Sequence, residues 1–442
     1  MKHLFYKASL AIICTISLAN NATSLTSIYN DALAFDPDLQ TAQATLKQAK
    51  GLRFEQYYNF VPGPIINYEK TKTENSYLDG TKKNSDPEVL TVAIQQTISA
   101  PKVFSTISAN RAVEGAQSNL NAQHSVLLNS VITQYATILS SYETLMALKT
   151  QASYLKKVYQ QEKEKLRLGA STKANVAQAK TSYDVVVAQQ VDAKLKISTG
   201  LNQLYILTGV NYSKLPMLSS DVKLNEKLTL KNIDTYQSAT IADNDNIRAS
   251  KSNLETNQNL LYAARSSFLP FINYSLNYTN YHDQHSYLAS QTVEESTVGA
   301  IGLGLNLDSN PGTVIKQQGA YDAAVASNRS VVTDTLTQLS NAYESVLASK
   351  ESVKRYQNAV KSAKVSLNAT QASYNAGTMT LLDVLSSIQE LQTNETTLAQ
   401  KRYEYFTYYA QLRMLTGETP SQILKTLDLT TAKGINLRNI SI

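Results

Sequence analysis

Tyr374-Asn375-Ala376-Gly377-Thr378-Met379-Thr380-Leu381-Leu382-Asp383-Val384-Leu385 is the stretch that decides the fold. It reads as a helix that ends at a glycine, a turn of two or three residues, and a new helix that starts at once. Glycine tolerates the left-handed backbone that closes a helix, and a Thr or Ser just beyond it can cap the next one. The same punctuation occurs at Lys165-Leu166-Arg167-Leu168-Gly169-Ala170-Ser171-Thr172. Long amphipathic patterns flank both turns, so the chain holds two sharp helical hairpins.

Outward from these turns, landmarks recur at a constant offset. Tyr343 follows Tyr135, Gly377 follows Gly169, and Leu415-Thr416-Gly417 follows Leu207-Thr208-Gly209, each by 208 residues. Pro270-Phe271-Ile272-Asn273-Tyr274 echoes Pro64-Ile65-Ile66-Asn67-Tyr68 after 206 residues. A fixed period across the chain is the mark of internal duplication. Each half reads helix, strand, strand, long helix, hairpin, helix. In the first half a helical pattern runs from Pro101 to Leu168, with Leu128, Val131, Tyr135, Ile138, Tyr142 and Leu145 on a seam at three-four spacing. The second long helix spans about Thr313 to Ala376, its seam formed by Val332, Leu336, Leu339, Tyr343, Val346 and Val353. Some 66 helical residues at about 1.5 Å each make a rod of about 100 Å. Two shorter helices stacked end to end match that length, which favours a helical barrel or bundle.

Composition agrees with long helices. The chain has 15 Gly, 9 Pro and no Trp among 442 residues, and 27 Tyr against 8 Phe. Few Gly and Pro favour uninterrupted helices, and Tyr suits surfaces that are half apolar and half wet. The start, Met1-Lys2-His3-Leu4-Phe5-Tyr6-Lys7 followed by the apolar Ala8 to Leu18, reads as a secretory signal over residues 1–22, with small residues at Ser17-Leu18-Ala19 for cleavage. The only cysteine, Cys14, lies in that run without the small residues a lipoprotein signal places before its cysteine. Its removal leaves no thiol chemistry, and losing Lys2 and Lys7 takes the formal charge from +6 to +4, too mild for nucleic acid. Beyond the signal no run reaches the ~20 apolar residues of a membrane helix. A membrane segment would have to be built from strands.

Strand patterns are present. They lie at about residues 65–75 and 89–99 in the first half, and 271–281 and 297–308 in the second. Ile272, Tyr274, Leu276 and Tyr278 share one face, with Asn273, Ser275, Asn277 and Thr279 on the other. Ile301, Leu303, Leu305 and Leu307 likewise oppose Ala300, Gly302, Gly304, Asn306 and Asp308. Apolar-out and polar-in over about 9 to 11 residues is the transmembrane β-barrel pattern. Four strands cannot close a barrel, and open edges are not tolerated in lipid. Three copies would supply twelve strands, enough for an aqueous lumen. The other reading is a secreted helical structural or adhesive protein whose strands pair in a soluble sheet.

With both hairpins, the strand pairs and the Leu-Thr-Gly helix ends in hand, the chain resembles the TolC family of bacterial outer-membrane efflux proteins over essentially its whole mature length. The resemblance implies a mainly α fold with a transmembrane β-barrel: a homotrimer joining a 12-stranded barrel to a long periplasmic α-helical barrel. It implies structural repeats at 23–210 and 235–417, with equatorial segments at 211–234 and 418–442. It further implies an exit duct in the outer membrane, in contact with its lipid, serving a tripartite efflux pump or a type I secretion system. The partners so implied are a periplasmic adaptor and an inner-membrane transporter, proton-driven or ATP-driven (ABC). The hairpin tips Leu168, Gly169, Ala170, Ala376, Gly377 and Thr378 are then the adaptor contact and periplasmic entrance.

Two departures from the family pattern stand out. Typical members constrict the tunnel with two acidic residues one helical turn apart; Asp383 matches the first, but Ser386 stands at the second. Their gate network uses a Tyr, a basic residue and an acidic partner. Tyr374 matches the Tyr, Met379 stands at the basic position, and Gln160 is the nearest match to the acidic one. The mouth is therefore expected to be held by packing and weak hydrogen bonds more than by ion pairs. Lys156-Lys157 and Glu162-Lys163-Glu164-Lys165 read as solvated helix faces. His282-Asp283-Gln284-His285 reads as a solvated loop rather than a metal site. Tyr403, Tyr405, Phe406, Tyr408 and Tyr409 read as packing. No phosphate loop, Ser/His/Asp set or Cys/His metal spacing occurs, so neither an enzyme nor a cofactor is expected.

Overall fold

The computed structural model describes residues 20–21, 24–76, 79–80, 82–85, 88–218, 230–282, 295–306, 309–428 and 431–436. Almost all of the expected signal, Asp86-Pro87, Asp283-Gln284-His285, Leu307-Asp308 and the last six residues lie outside them. The chain divides into two compact units: residues 1–40, 122–244 and 334–442 form one, and residues 41–121 and 245–333 form the other.

In order, the helices are α1 (Leu25–Phe35), α2 (Pro37–Tyr58), α3 (Ala100–Arg167), α4 (Lys173–Thr208), α5 (Ile233–Asp243), α6 (Asp245–Ser266), α7 (Pro311–Asn375), α8 (Leu381–Leu415) and α9 (Pro420–Asp428). The strands are β1 (Asn20–Asn21), β2 (Gly63–Lys70), β3 (Thr73–Ser76), β4 (Lys82–Ser85), β5 (Glu88–Ile98), β6 (Tyr212–Leu218), β7 (Phe271–His282), β8 (Glu295–Gly304) and β9 (Thr431–Asn436). No described helix is long and apolar enough to cross a membrane.

The many Ser and Thr of these helices turn their hydroxyls back on the helix, a local bond that competes with the backbone ladder rather than strengthening it. On α3, Thr106, Ser130, Thr137, Thr144 and Thr150 each donate to the carbonyl four residues earlier, at 2.8–3.1 Å. The breaks are equally local. Between α1 and α2, the Asp36 carboxylate accepts from the Leu39 amide at 2.6 Å, and Pro37 takes a first-turn position that needs no donor. Asn244, 208 residues on, separates α5 from α6 and donates to the Leu415 carbonyl at 2.9 Å. The first-turn amide of Leu25 donates to the Asp428 carboxylate of α9 at 2.8 Å, an anion at a helix N-terminus.

The first unit holds most of the core. Leu128, Val131, Tyr135, Ile138 and Leu145 of the α3 seam are all fully buried, alongside Ile197 and Leu204 of α4. Tyr403, Tyr405, Phe406 and Tyr409 of α8 are buried as packing, and Tyr135 meets Phe406 with ring centroids 6.1 Å apart. Each fully buried aromatic of this size contributes on the order of 2–3 kcal/mol. Arg402 and Tyr403 both reach Glu143, at 3.2 and 2.9 Å, fixing α8 against α3; burial pushes that carboxyl up despite the arginine. A small sheet ordered β1-β6-β9 completes the unit, β9 pairing antiparallel with β6.

The second unit holds the sheet ordered β2-β5-β7-β8, antiparallel throughout. Register puts Ile66 opposite Val92, Ile94 opposite Leu276, Ile98 opposite Ile272, and Tyr274 opposite Ile301. Facing residues of antiparallel partners share one side. An apolar face therefore runs across all four strands, and Ile66, Ile301 and Leu303 on it are 72–86% exposed. The opposite side carries Asn67, Thr91, Gln95, Asn273, Ser275, Asn277 and Thr279, with Thr97 donating to Asn273 at 2.6 Å. The first strand ends at Lys70, short of residue 75, because Thr73–Ser76 pairs instead with Lys82–Ser85 as a separate hairpin. Neither of those short segments has an apolar face to reveal it in the sequence. The last strand ends at Gly304, short of 308.

Candidate functional site at the helical hairpins

Both turns close by the same backbone device. At the end of α3, Gly169 (φ +75°) donates to the Leu166 carbonyl at 3.0 Å and Ala170 to the Lys165 carbonyl at 2.7 Å. At the end of α7, Gly377 (φ +77°) donates to Tyr374 at 3.0 Å and Thr378 to Ser373 at 2.9 Å. This is the Schellman closure, which needs a residue at positive φ. The next helices start on hydroxyl caps: Thr172 accepts from the Asn175 amide at 3.1 Å, and Thr380 from the Asp383 amide at 3.3 Å. Asp383 returns the bond, accepting from the Thr380 amide at 2.8 Å and its hydroxyl at 2.7 Å to make a capping box. The Thr380 hydroxyl and amide hold the Asp383 carboxyl below its ordinary range.

Directly behind the turns, the two hairpins are tied together by charge. Glu162 occupies the buried stripe of α3 one turn past Val158, and only 1% of its side chain is exposed. Its carboxylate accepts hydrogen bonds from the Tyr374 hydroxyl of α7 and from Ser171 Oγ at 2.7 Å. Lys165 Nζ lies 3.2 Å from the same carboxylate and 3.9 Å from the centroid of the Tyr374 ring, a cation over an aromatic face. Burial alone would raise the Glu162 carboxyl. The bonds from Tyr374, Ser171 and Lys165, with the lysine charge, outweigh it and hold the group below its usual range. Burial and the same carboxylate push the Tyr374 hydroxyl up.

This corrects the sequence reading at two positions. Gln160 is exposed, and the carboxylate that meets Tyr374 is Glu162. The basic member of the cluster is Lys165, while Met379 is 44% exposed and outside it. Ion pairing is thus present, and of the run 162–165 Glu162 is not a solvated face. The missed signal is positional. Leu155, Val158 and Glu162 are spaced three and four apart, so a carboxylate interrupts an otherwise apolar stripe and must find donors there. Leu168, Gly169, Ala170, Ala376, Gly377 and Thr378 are all exposed at the turns. Asp383 and Ser386 are exposed on α8, and Ser386 lines a groove of about 630 Å³ with Gln151, Leu382, Leu385 and Gln389. No group of three or more metal-ligating side chains occurs among the described residues.

The profile of the outer membrane efflux protein family matches residues 28–210 and 237–418. The chain belongs to that family. It is a transport family, and membership places the protein in the outer membrane as an efflux channel whose helical part extends into the periplasm. Among relatives, outer membrane protein TolC of Vibrio cholerae serotype O1 is 26% identical over 95% of each chain. The alkaline protease secretion protein AprF of Pseudomonas aeruginosa is 21% identical over 90% of this chain and 85% of its own. The solved structure of the outer membrane protein VceC of Vibrio cholerae shares the fold with a TM-score of 0.76 at 19% identity, covering 89% of this chain and 96% of that one. Like that channel, this family member joins a helical part to a β-sheet part.

Proposed function

We propose that three copies of the chain assemble into an exit duct, each supplying four strands to a twelve-stranded barrel and two hairpins to a periplasmic mouth. One observation carries this reading: an open antiparallel sheet with an apolar face, a polar face and two edge strands, β2 and β8, that pair with no further strand among the described residues. In lipid every backbone donor and acceptor needs a partner, so each edge must pair with that of another copy. The repeats at 23–210 and 235–417 are then the walls, and segments 211–234 and 418–442 the equatorial layer.

The hairpin tips form the entrance, where Asp383 and Ser386 face the axis and the cluster of Tyr374, Glu162 and Lys165 holds the hairpins closed. A periplasmic adaptor binds the tips and connects them to an inner-membrane transporter, driven by protons or by ATP. The names of the relatives point to both protein secretion and efflux, and the duct as such does not select between them. Mass photometry of the detergent-purified protein should give a trimer, and planar bilayers should give cation-selective channels. A water-soluble monomer that never conducts refutes the duct. Comparing drug tolerance with protein export in a deletion strain assigns the cargo.

A further inference from the structure

The two hairpins share a backbone and differ in charge. On α3, Lys149, Lys156 and Lys163 follow one another at intervals of seven and are all exposed. Seven residues fall about 20° short of two helical turns, so the three ammonium groups form one stripe about 21 Å long, spaced about 10 Å apart. Arg167 continues it but is held by Glu164 at 2.5 Å. On α4, Lys173 and Lys180 repeat the interval and are also exposed. None of these five lysines makes an ion pair among the described residues.

Internal duplication supplies the control. At the offset of 208, Lys149, Lys156, Lys163, Lys173 and Lys180 correspond to Gln357, Lys364, Gln371, Leu381 and Ile388. Only Lys364 keeps the charge, and Glu395 neutralises it at 3.0 Å. Residues 157–192 hold six basic and four acidic side chains, whereas 365–400 hold no basic and three acidic ones. The repeat explains the helices and not the stripe. Three like charges along one helix face repel one another, a cost that no ion pair offsets among the described residues.

Resting on the reading of the tips as the adaptor-binding end, we propose that the first hairpin docks an α-helical partner with acidic side chains at heptad spacing, the second hairpin offering only two exposed lysines at that interval, Lys354 and Lys361. A helix lying alongside α3 keeps the same seven-residue repeat, so each lysine meets one carboxylate, as flanking positions do in coiled coils. A lipid surface fits the stripe poorly, because Ser153, Gln160 and Glu164 beside it are exposed and polar and give no apolar anchor. A second copy fits poorly as well. Over residues 365–400 of its second hairpin, Asp383 is held by Thr380 and Glu395 by Lys364, so among the described residues there Glu390 alone remains for three lysines.

The test uses the full-length trimer in detergent and a designed helical hairpin with Glu at three successive heptad positions, beside the same hairpin carrying Gln. The Glu probe should bind, weakening as salt rises from about 0.01 to about 0.15 M and the screening length falls from about 30 to about 8 Å. The variant K149Q/K156Q/K163Q should lose about tenfold in affinity, and the second-hairpin control K354Q/K361Q should lose nothing. Equal binding of the Gln probe, or of the Glu probe to the triple variant, overturns the proposal. So does loss of the trimer in the triple variant, which would assign the stripe to a second copy. So does binding of phosphatidylglycerol vesicles through the three lysines without discrimination between the probes. Single-channel conductance, expected unchanged in the triple variant, separates this from the duct itself: wild-type protein that never conducts refutes the duct, whatever the probes do.

Discussion

Removing the Tyr374 hydroxyl should loosen both hairpin turns together. Tyr374→Phe deletes one donor to the Glu162 carboxylate and leaves Ser171 at 2.7 Å and Lys165 at 3.2 Å. A hydrogen bond to a charged group contributes roughly 1.5–3 kcal/mol when shielded from water. Tyr374 is only half-buried and water can replace its hydroxyl, so about 1 kcal/mol is the fitting figure. Glu162→Gln also strips Lys165 of its counter-charge and should cost about 2 kcal/mol. Each 1.4 kcal/mol is about tenfold in an opening equilibrium, giving roughly fivefold and thirtyfold more opening for the two variants. The assay is hydrogen exchange at the turn amides of Ala170 and Thr378, which donate to Lys165 and Ser373. Such amides report local opening. If the tie runs through this pair, Tyr374→Phe added to Glu162→Ala, which leaves the hydroxyl no acceptor there, should exchange no faster than Glu162→Ala alone, a coupling of about 1 kcal/mol. Additive effects, or exchange at Thr378 indifferent to Glu162, would refute the tie.

Acid should act on the same cluster. Because the folded Glu162 carboxyl sits below its ordinary range, its stabilisation is full above about pH 4.3 and is lost only as pH falls through the lower folded value; turn protection that already declined from pH 7 to 5 would contradict this. Gly377→Ala meets no atom within 4 Å and should cost only the left-handed backbone, about 1 kcal/mol, whereas Gly417→Ala drives its Cβ into the Asp243 backbone carbonyl and should cost about 3 kcal/mol or more, as read by thermal unfolding. Asp383→Ala removes both a capping-box partner and the proposed ring of charge, so cation selectivity of the single-channel current should fall; unchanged selectivity removes Asp383 from the entrance. On the sheet, Leu276→Arg should lower folding stability in vesicles by about 2–4 kcal/mol, and its neighbour Asn277→Arg, on the polar side, by far less.

Much of this architecture is legible because it rests on local rules that repeat. Gly169 and Gly377 mark the turns, the Leu128–Leu145 seam marks the helix, and alternation at Ile272–Tyr278 marks a strand, each signal lying within its own segment. The exceptions are equally physical. Thr73–Ser76 and Lys82–Ser85 are polar on both sides, so nothing in their pattern distinguishes a hairpin from a loop. Asp36 and Asn244 break their helices through side-chain bonds, one to Leu39 and the other to Leu415, and only the first of these partners is near in sequence.

The hairpin tie is the harder case, because duplication points away from it. Shifting by 208, Glu162 corresponds to Thr370 and Tyr374 to Leu166. Thr370 is buried and meets Ser387 at 3.3 Å within its own hairpin, the uncharged answer to the same position. A pair joining non-equivalent positions of the two repeats cannot be found by aligning them. It arises because the second repeat places a tyrosine where the first has a leucine, and the first places a carboxylate where the second has a hydroxyl. With Lys165 and Ser171, which face Ser373 and Met379 in the other repeat, four differences between the repeats turn two similar hairpins into one coupled unit. The same divergence leaves Lys149, Lys156 and Lys163 on one hairpin alone. The repeat thus supplies equal scaffolds, while the bond between them and the charge they offer to a partner come from the positions where the copies disagree.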